Sequence, residues 1–278
     1  MMDFSAEWRG VCAWDIDGSL VPDSELRNQR GIQHTLDVLC DTNGLDRIQI
    51  EWKTYCGNSE DRIYEMLITA GHDDLEGLLQ PLEFKAECLK YFSTHDPDFT
   101  PREDAIETMI ALQSFNIGSI AVSNSEGRRV HRALSEAFKI ADLGKQVRDV
   151  FPIVVTSDDF GPNQLRAKPS QQPYWYAHGQ TMLLSGVNIP RNRMLIFEDS
   201  LPGVTSATKF IGSPQMDQVI QWKDVGAPQH PHTIHYMTRM VDCISVIAAR
   251  FGINENKLHD AVANVKRCAN IGLVRAIR

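Results

Sequence analysis

A chain of 278 residues that is 42% hydrophobic and 23% charged has the make-up of an ordinary globular protein of one large domain or two modest ones. Its formal net charge of −8 carries no basic footprint for nucleic acid, so phosphate can be held only where a metal, a lysine or backbone N–H groups create positive potential locally. No apolar run approaches the ~18–20 residues of a membrane span, and the opening MMDFSAEWRG lacks the basic-then-apolar order of a signal peptide. The six cysteines are scattered without a CxxC pair, which argues against a disulfide framework or a zinc knuckle and for a reducing, cytoplasmic setting.

Taken in chain order, the first element is a short apolar run at Val11-Cys12-Ala13-Trp14, read as a buried strand. From 22 to 98 no convincing strand follows. Periodic Leu, Ile and Val positions predict helices over 23–39, 46–55, 61–70 and 75–92, with stops at Thr42-Asn43-Gly44 and Gly71-His72-Asp73. Alternation then sets in: a helix over 102–115, a strand over 117–122, a helix over 127–138 and a strand over 153–156. A helix over 173–185, a strand over 193–197 and a helix over 203–210 come next. Strands over 218–222 and 234–237, a surface loop over 226–235, and helices over 238–251 and 255–277 complete the chain. Strands alternating with helices predict a parallel sheet flanked by helices. The domain reading is a core of 1–21 and 99–278 with a helical insertion, 22–98, placed as a lid over whatever follows the first strand.

Chemistry-bearing residues recur at the strand exits, where open α/β sheets place their sites. The first strand runs into Asp15-Ile16-Asp17-Gly18-Ser19. Two carboxylates so close repel unless a cation or a shared proton relieves them, and Mg²⁺ favours carboxylate and phosphate oxygens. Taken alone, the segment also reads as an Asp-Gly turn. The strand over 117–122 exits into Ser123-Asn124-Ser125-Glu126-Gly127, either a plain helix cap or a hydroxyl with free N–H groups facing a phosphate. Lys168 before Pro169 is a surface lysine or a site cation, and Glu198-Asp199-Ser200 before Gly203 is an acidic cap or a second pair of metal carboxylates.

These four segments in this order resemble the motif set of the haloacid dehalogenase superfamily: DxDGS over 15–19, VSNS over 122–125, KP over 168–169 and EDSxxGV over 198–204. The stretch DGSLVPDSE over 17–25 is similar to the branch with a helical cap after the first motif, which contains phosphoglycolate phosphatases and β-phosphoglucomutases. Pro22 adds a residue to the usual run, and the last 60 or so residues match little. The resemblance implies a Rossmann-like parallel sheet with helices on both faces and an inserted all-helical cap. It implies Asp15 as nucleophile, Asp17 as general acid and then base, and Mg²⁺ held by Asp15, the Asp17 carbonyl and Asp199, with Glu198 acting through water. Ser123, Asn124 and Lys168 would hold the phosphate.

Within that superfamily, an acid at Asp17 points to oxygen leaving groups, since dehalogenases and phosphonatases lack it. The expected activity is hydrolysis of a small phosphate monoester, of sugar phosphate or phosphoglycolate type, through an aspartyl-phosphate. The alternative is a phosphosugar mutase, disfavoured because Arg27 and Asn28 stand where a mutase carries its cap histidine and Glu60 follows Gly57-Asn58-Ser59 where it carries an arginine. A non-catalytic binding protein would have lost one of the acids, and a nucleotide-binding module would show GxGxxG after the first strand. Cap contacts to substrate are expected from Arg62, Tyr55 and Gly57, with Arg27 and Arg30 as further candidates. Lys53 is a solvated helix lysine, and Arg62 also has Glu65 on its own helix as a partner. The expected partner is a small phosphorylated metabolite, not nucleic acid or membrane, and the expected assembly is a monomer or homodimer.

Overall fold

The computed structural model describes residues 8–95, 99–212, 216–223, 229–231 and 233–270. Strand β1 (Gly10–Trp14) is followed by four helices: α1 (Asp23–Asn43), α2 (Trp52–Tyr55), α3 (Glu60–Thr69) and α4 (Pro81–Thr94). Then come α5 (Ala105–Gln113), β2 (Ile117–Val122), α6 (Gly127–Ala141), α7 (Val147–Val150), β3 (Val154–Val155) and α8 (Gln172–Ser185). The chain ends with β4 (Met194–Glu198), α9 (Leu201–Ile211), β5 (Met216–Trp222), β6 (Thr233–Met237), α10 (Met240–Phe251) and α11 (Glu255–Asn270).

All strand pairs are parallel, in the order β3-β2-β1-β4-β5-β6. Successive side chains of a strand point to opposite faces, and β1 feeds two cores accordingly. Cys12 and Trp14 enter the apolar layer beneath α5, α6, α10 and α11, while Val11 and Ala13 enter the layer beneath α8 and α9. Trp14 stacks on Phe197 of β4 with ring centroids 3.8 Å apart, which locks the register of the two strands that carry the acids. The strand order reverses beside β1, so the crevice at the carboxyl ends of β1, β2 and β4 is the natural site for a ligand.

Helices α1 to α4 form their own core around Ile32, Leu36, Ile63, Tyr64, Phe84 and Cys88, separate from both sheet layers. An α/β sheet with helices on both faces and an inserted all-helical cap is thus the architecture. The cap helices lie between 23 and 94. No helix among the described residues is long and apolar enough to cross a membrane.

Several predicted elements differ. The helix expected over 46–55 shrinks to α2, because Gly44 ends α1 in a left-handed turn and the following segment, 45–51, is irregular. Gln33 holds that segment at both sides of its amide, donating to Ile48 O at 2.7 Å and accepting from Ile50 N at 3.2 Å. The helix expected over 75–92 starts only at Pro81, after a turn through Gly77 at φ 87°. The helix over 255–277 is helical to Asn270, and the rest lies outside the described residues. The loop expected over 226–235 gives way to β6 from Thr233, while residues 224–228 and 232 lie outside the described residues.

Candidate active site

The loop after β1 is a tight turn. Asp15 N donates to Phe197 O at 2.9 Å, and Leu20 N and Val21 N both donate to Ile16 O. Gly18 sits at φ 79°, and a Cβ there would collide with the Asp199 carboxylate, so this position needs glycine for conformation and for room. Arg102 braces the turn from outside, donating to Ser19 O at 2.8 Å, Gly18 O at 3.1 Å and Thr238 O at 3.1 Å. Its guanidinium lies over the Trp222 ring, 3.9 Å from the centroid.

Lys168 is the cation at the centre of the site. Its ammonium donates to Asp15 Oδ1 and Val122 O at 2.7 Å each and pairs with Glu198 Oε1 at 2.7 Å. Asn124 clamps the Lys168 backbone from both sides, accepting from Lys168 N at 2.9 Å and donating to Lys168 O at 3.2 Å. Tyr174 of α8 donates to Glu198 Oε1 as well. Burial alone would lower the lysine pKa, but Asp15 and Glu198 outweigh it and hold the ammonium charged well above its ordinary range.

The acids divide into two electrostatic classes. Burial, reinforced by Glu198 and Asp17, pushes the Asp15 carboxyl well above the usual carboxylate range, against the pull of Lys168. Burial, with Asp15 and Glu25 close by, does the same to Asp199. For Asp17 burial also acts upward, yet Arg129 and a hydrogen bond from Ser125 overcome it and hold the carboxyl below its ordinary value. Ser125 Oγ donates to Asp17 Oδ2 at 2.5 Å and Arg129 Nη2 to Asp17 Oδ1 at 2.9 Å.

Arg129, in the first turn of α6, is a side chain at the site that the motif reading missed. Besides Asp17 it reaches the cap, donating to Asn28 Oδ1 at 2.5 Å and lying 3.7 Å from Glu60 Oε1. Core and cap therefore meet on one guanidinium. Between them is a cavity of about 60 Å³. The core lines it with Asp15, Asp17, Ser123, Asn124, Lys168 and Asp199, and the cap with Glu25, Asn28, Gly57 and Glu60.

Most expected site residues thus converge. Glu198 is fully buried behind Lys168, with Oε2 lacking a hydrogen-bond partner among the described residues. Two expected cap contacts do not reach the cavity. Arg62 is exposed and paired with Glu65 at 2.7 Å, the local partner its helix offers, and Tyr55 is buried in the cap's own core. Gly57 does line the cavity, and its amide donates to Glu25 Oε1 at 3.3 Å.

The donor set fits a hard divalent cation. Asp15, Glu198 and Asp199 each offer a buried carboxylate oxygen within 4.8 Å of the others, and Asp199 Oδ2 has no hydrogen-bond partner among the described residues. Carboxylates so crowded are stable as anions only beside positive charge, and Mg²⁺ takes oxygen ligands of this kind.

No protein-family model matches the chain, and no curated protein matches its sequence. Its fold is shared by solved structures. CbbY from Rhodobacter sphaeroides in complex with phosphate is 18% identical, aligning over 81% of this chain and 91% of that one with a TM-score of 0.58. A hydrolase from Pseudomonas syringae is 14% identical over 86% and 98% of the two chains, with a TM-score of 0.62. A HAD hydrolase of family IA, variant 3, from Entamoeba histolytica is 13% identical over 92% and 100%, with a TM-score of 0.54. The fold is that of the capped haloacid dehalogenase-type hydrolases.

Proposed function

We propose that this protein is a Mg²⁺-dependent phosphatase of small phosphate monoesters that works through an aspartyl-phosphate at Asp15. The observation that carries this reading is the buried triad in which Lys168 spans Asp15 and Glu198 while Asp199 stands beside them with an orphaned oxygen. A carboxylate next to a lysine, a hydroxyl and a metal-competent acid, all in one small cavity, is a constellation for phosphoryl transfer by positioning and charge stabilisation.

In this reading an Asp15 oxygen attacks phosphorus and the ester oxygen leaves with a proton from Asp17. Water then attacks the aspartyl-phosphate, giving its proton to Asp17 and returning Asp15 as a carboxylate. Lys168, Ser123 and the amides around Asn124 hold the non-bridging oxygens as charge grows on them. Asp15, the Asp17 carbonyl and Asp199 would hold Mg²⁺, which supplies charge neutralisation at the phosphoryl oxygens. The Arg129 contact favours the ionised Asp17 that the water-attack step uses and opposes the protonated form that the first step needs, so it sets the balance between the two. The cavity of about 60 Å³ lies between core and cap, with Asp15, Asp17 and Lys168 on one side and Asn28, Gly57 and Glu60 on the other. A cap seated over the acids shields the reacting groups from bulk water.

The test is phosphate release from a panel of phosphorylated sugars, phosphoglycolate and nucleotides, with and without Mg²⁺. Metal-dependent release from a small ester, lost in Asp15→Asn, supports the reading. Isomerisation of a sugar phosphate primed by its bisphosphate, without net release, would establish the mutase instead.

A further inference from the structure

A second cluster of ligating side chains borders the site and shares only Asp199 with the groups proposed for phosphoryl transfer. Glu25 is in the first turn of α1, Cys56 directly follows α2, and Asp199 directly follows β4. Each offers a ligand atom within 4.8 Å of the other two. The residues are 5%, 4% and 2% exposed. Two belong to the cap and one to the core, and the cluster straddles their seam.

The seam is tight at this point. Gly57, next to Cys56, adopts φ 80°, and a Cβ there would collide with the Ser200 side chain, so the cap loop lies directly on the loop after β4. The hydrogen bonds of the cluster are unequal. Glu25 accepts from Gly57 N at 3.3 Å and Asn28 Nδ2 at 3.1 Å, and the Cys56 thiol bonds to Glu25. Asp199 Oδ2 is buried and has no partner among the described residues.

We infer that Glu25, Cys56 and Asp199 form a site for a thiophilic divalent cation of the zinc class, joining the cap to the core. The donor chemistry decides the class. Mg²⁺ takes oxygen ligands, whereas a thiolate with two carboxylates suits Zn²⁺ or Co²⁺, which accept three protein ligands and keep a fourth position open. On binding, the Cys56 S–H bond breaks, its proton leaves to solvent, and the sulfur lone pair forms the metal–sulfur bond. No redox change is involved. Because Asp199 also belongs to the Mg²⁺ site, the two cations compete for it. A zinc-class ion would hold the cap closed while depriving the phosphoryl site of a ligand, and so act as an inhibitor.

The test is titration of the metal-free, full-length protein with Co²⁺. Near-ultraviolet absorption of thiolate-to-cobalt charge transfer should appear with one equivalent and be erased by Zn²⁺. It should vanish in Cys56→Ala, weaken at least tenfold in affinity in Glu25→Gln, and persist in Cys268→Ala. Persistence of the band in Cys56→Ala overturns the site. Should Cys56→Ala not fold, anomalous diffraction at the zinc edge from Zn²⁺-soaked crystals of the unaltered protein decides. A peak among these three residues supports the site, and a peak elsewhere or none overturns it. Neither readout requires turnover, so a failure here leaves the phosphatase reading standing, and a failure of that reading leaves this one standing.

Discussion

Replacing Lys168 by Met removes the cation on which Asp15 and Glu198 both rely while nearly preserving the volume of its aliphatic stem. The side chain is 3% exposed and its ammonium is 2.7 Å from each carboxylate, so neither acid can recover its loss from bulk water. Breaking a buried ion pair by deleting one partner costs about 3–5 kcal/mol. For a domain of this size that corresponds to a midpoint lower by roughly 6–20 °C. The lysine pKa is raised in the folded state, so its stabilising contribution is complete below the ordinary lysine value of ~10.4 and is lost only as pH rises through the folded value. The whole deficit is therefore visible near neutral pH. Acidification lets the stranded Asp15, whose carboxyl burial already pushes up, take a proton, and the gap between variant and parent should narrow as pH falls. Thermal and denaturant unfolding of the metal-free proteins at neutral and mildly acidic pH measures both effects. A variant within about 1 kcal/mol of the parent at neutral pH, with no narrowing on acidification, would refute the ion-pair reasoning. Turnover by the folded variant should fall by about 10²–10³-fold, the usual cost of one lost phosphoryl-oxygen donor.

The metal-free parent should itself lose stability as pH rises from the ordinary carboxylate range toward neutrality, because the raised pKa values of Asp15 and Asp199 make the folded state hold more protons than the unfolded chain across that window. Saturating Mg²⁺ should flatten the slope, and calorimetry across pH with and without the ion checks both. Arg129→Met removes the charge that holds Asp17 low, so the limb of the pH–rate profile governed by Asp17 should move to higher pH, less so in Arg129→Lys; an unmoved limb contradicts the role given to Arg129. Gly203→Ala places a Cβ against Glu198 Oε2 in α9 and should destabilise by about 1–3 kcal/mol with a matching loss of turnover, read by denaturant unfolding and steady-state rates.

The core of this site was legible because its acids sit directly at strand exits. Asp15, Ser123 and Asp199 each follow a short apolar run that can only be a buried strand, and parallel pairing brings such exits together. Lys168 was legible through its motif, though its ties to Glu198 and Asn124 span distances in sequence that no local pattern encodes. The cap was harder to read. Its residues reach the cavity through the packing of four helices, and nothing in the periodicity told the lining Asn28 and Glu60 from the exposed Arg62 two positions on. Arg129 was hidden in the run Arg128-Arg129, where the helical phase of a single turn decides which guanidinium meets Asp17. The segment after Gly44 misled because its apolar spacing suits a helix while Gln33, fifteen residues earlier than Ile48, takes up the backbone groups of Ile48 and Ile50.

The central claim is a covalent phosphoryl group on Asp15. Its most direct test is acid quenching of the Mg²⁺-loaded protein during turnover of a small phosphate monoester, followed by peptide mass mapping. A phosphoryl adduct is expected on the peptide of β1 at Asp15, absent in a folded Asp15→Asn variant. Metal-dependent phosphate release that continues in Asp15→Asn, with no adduct at residue 15 in the parent, would contradict it.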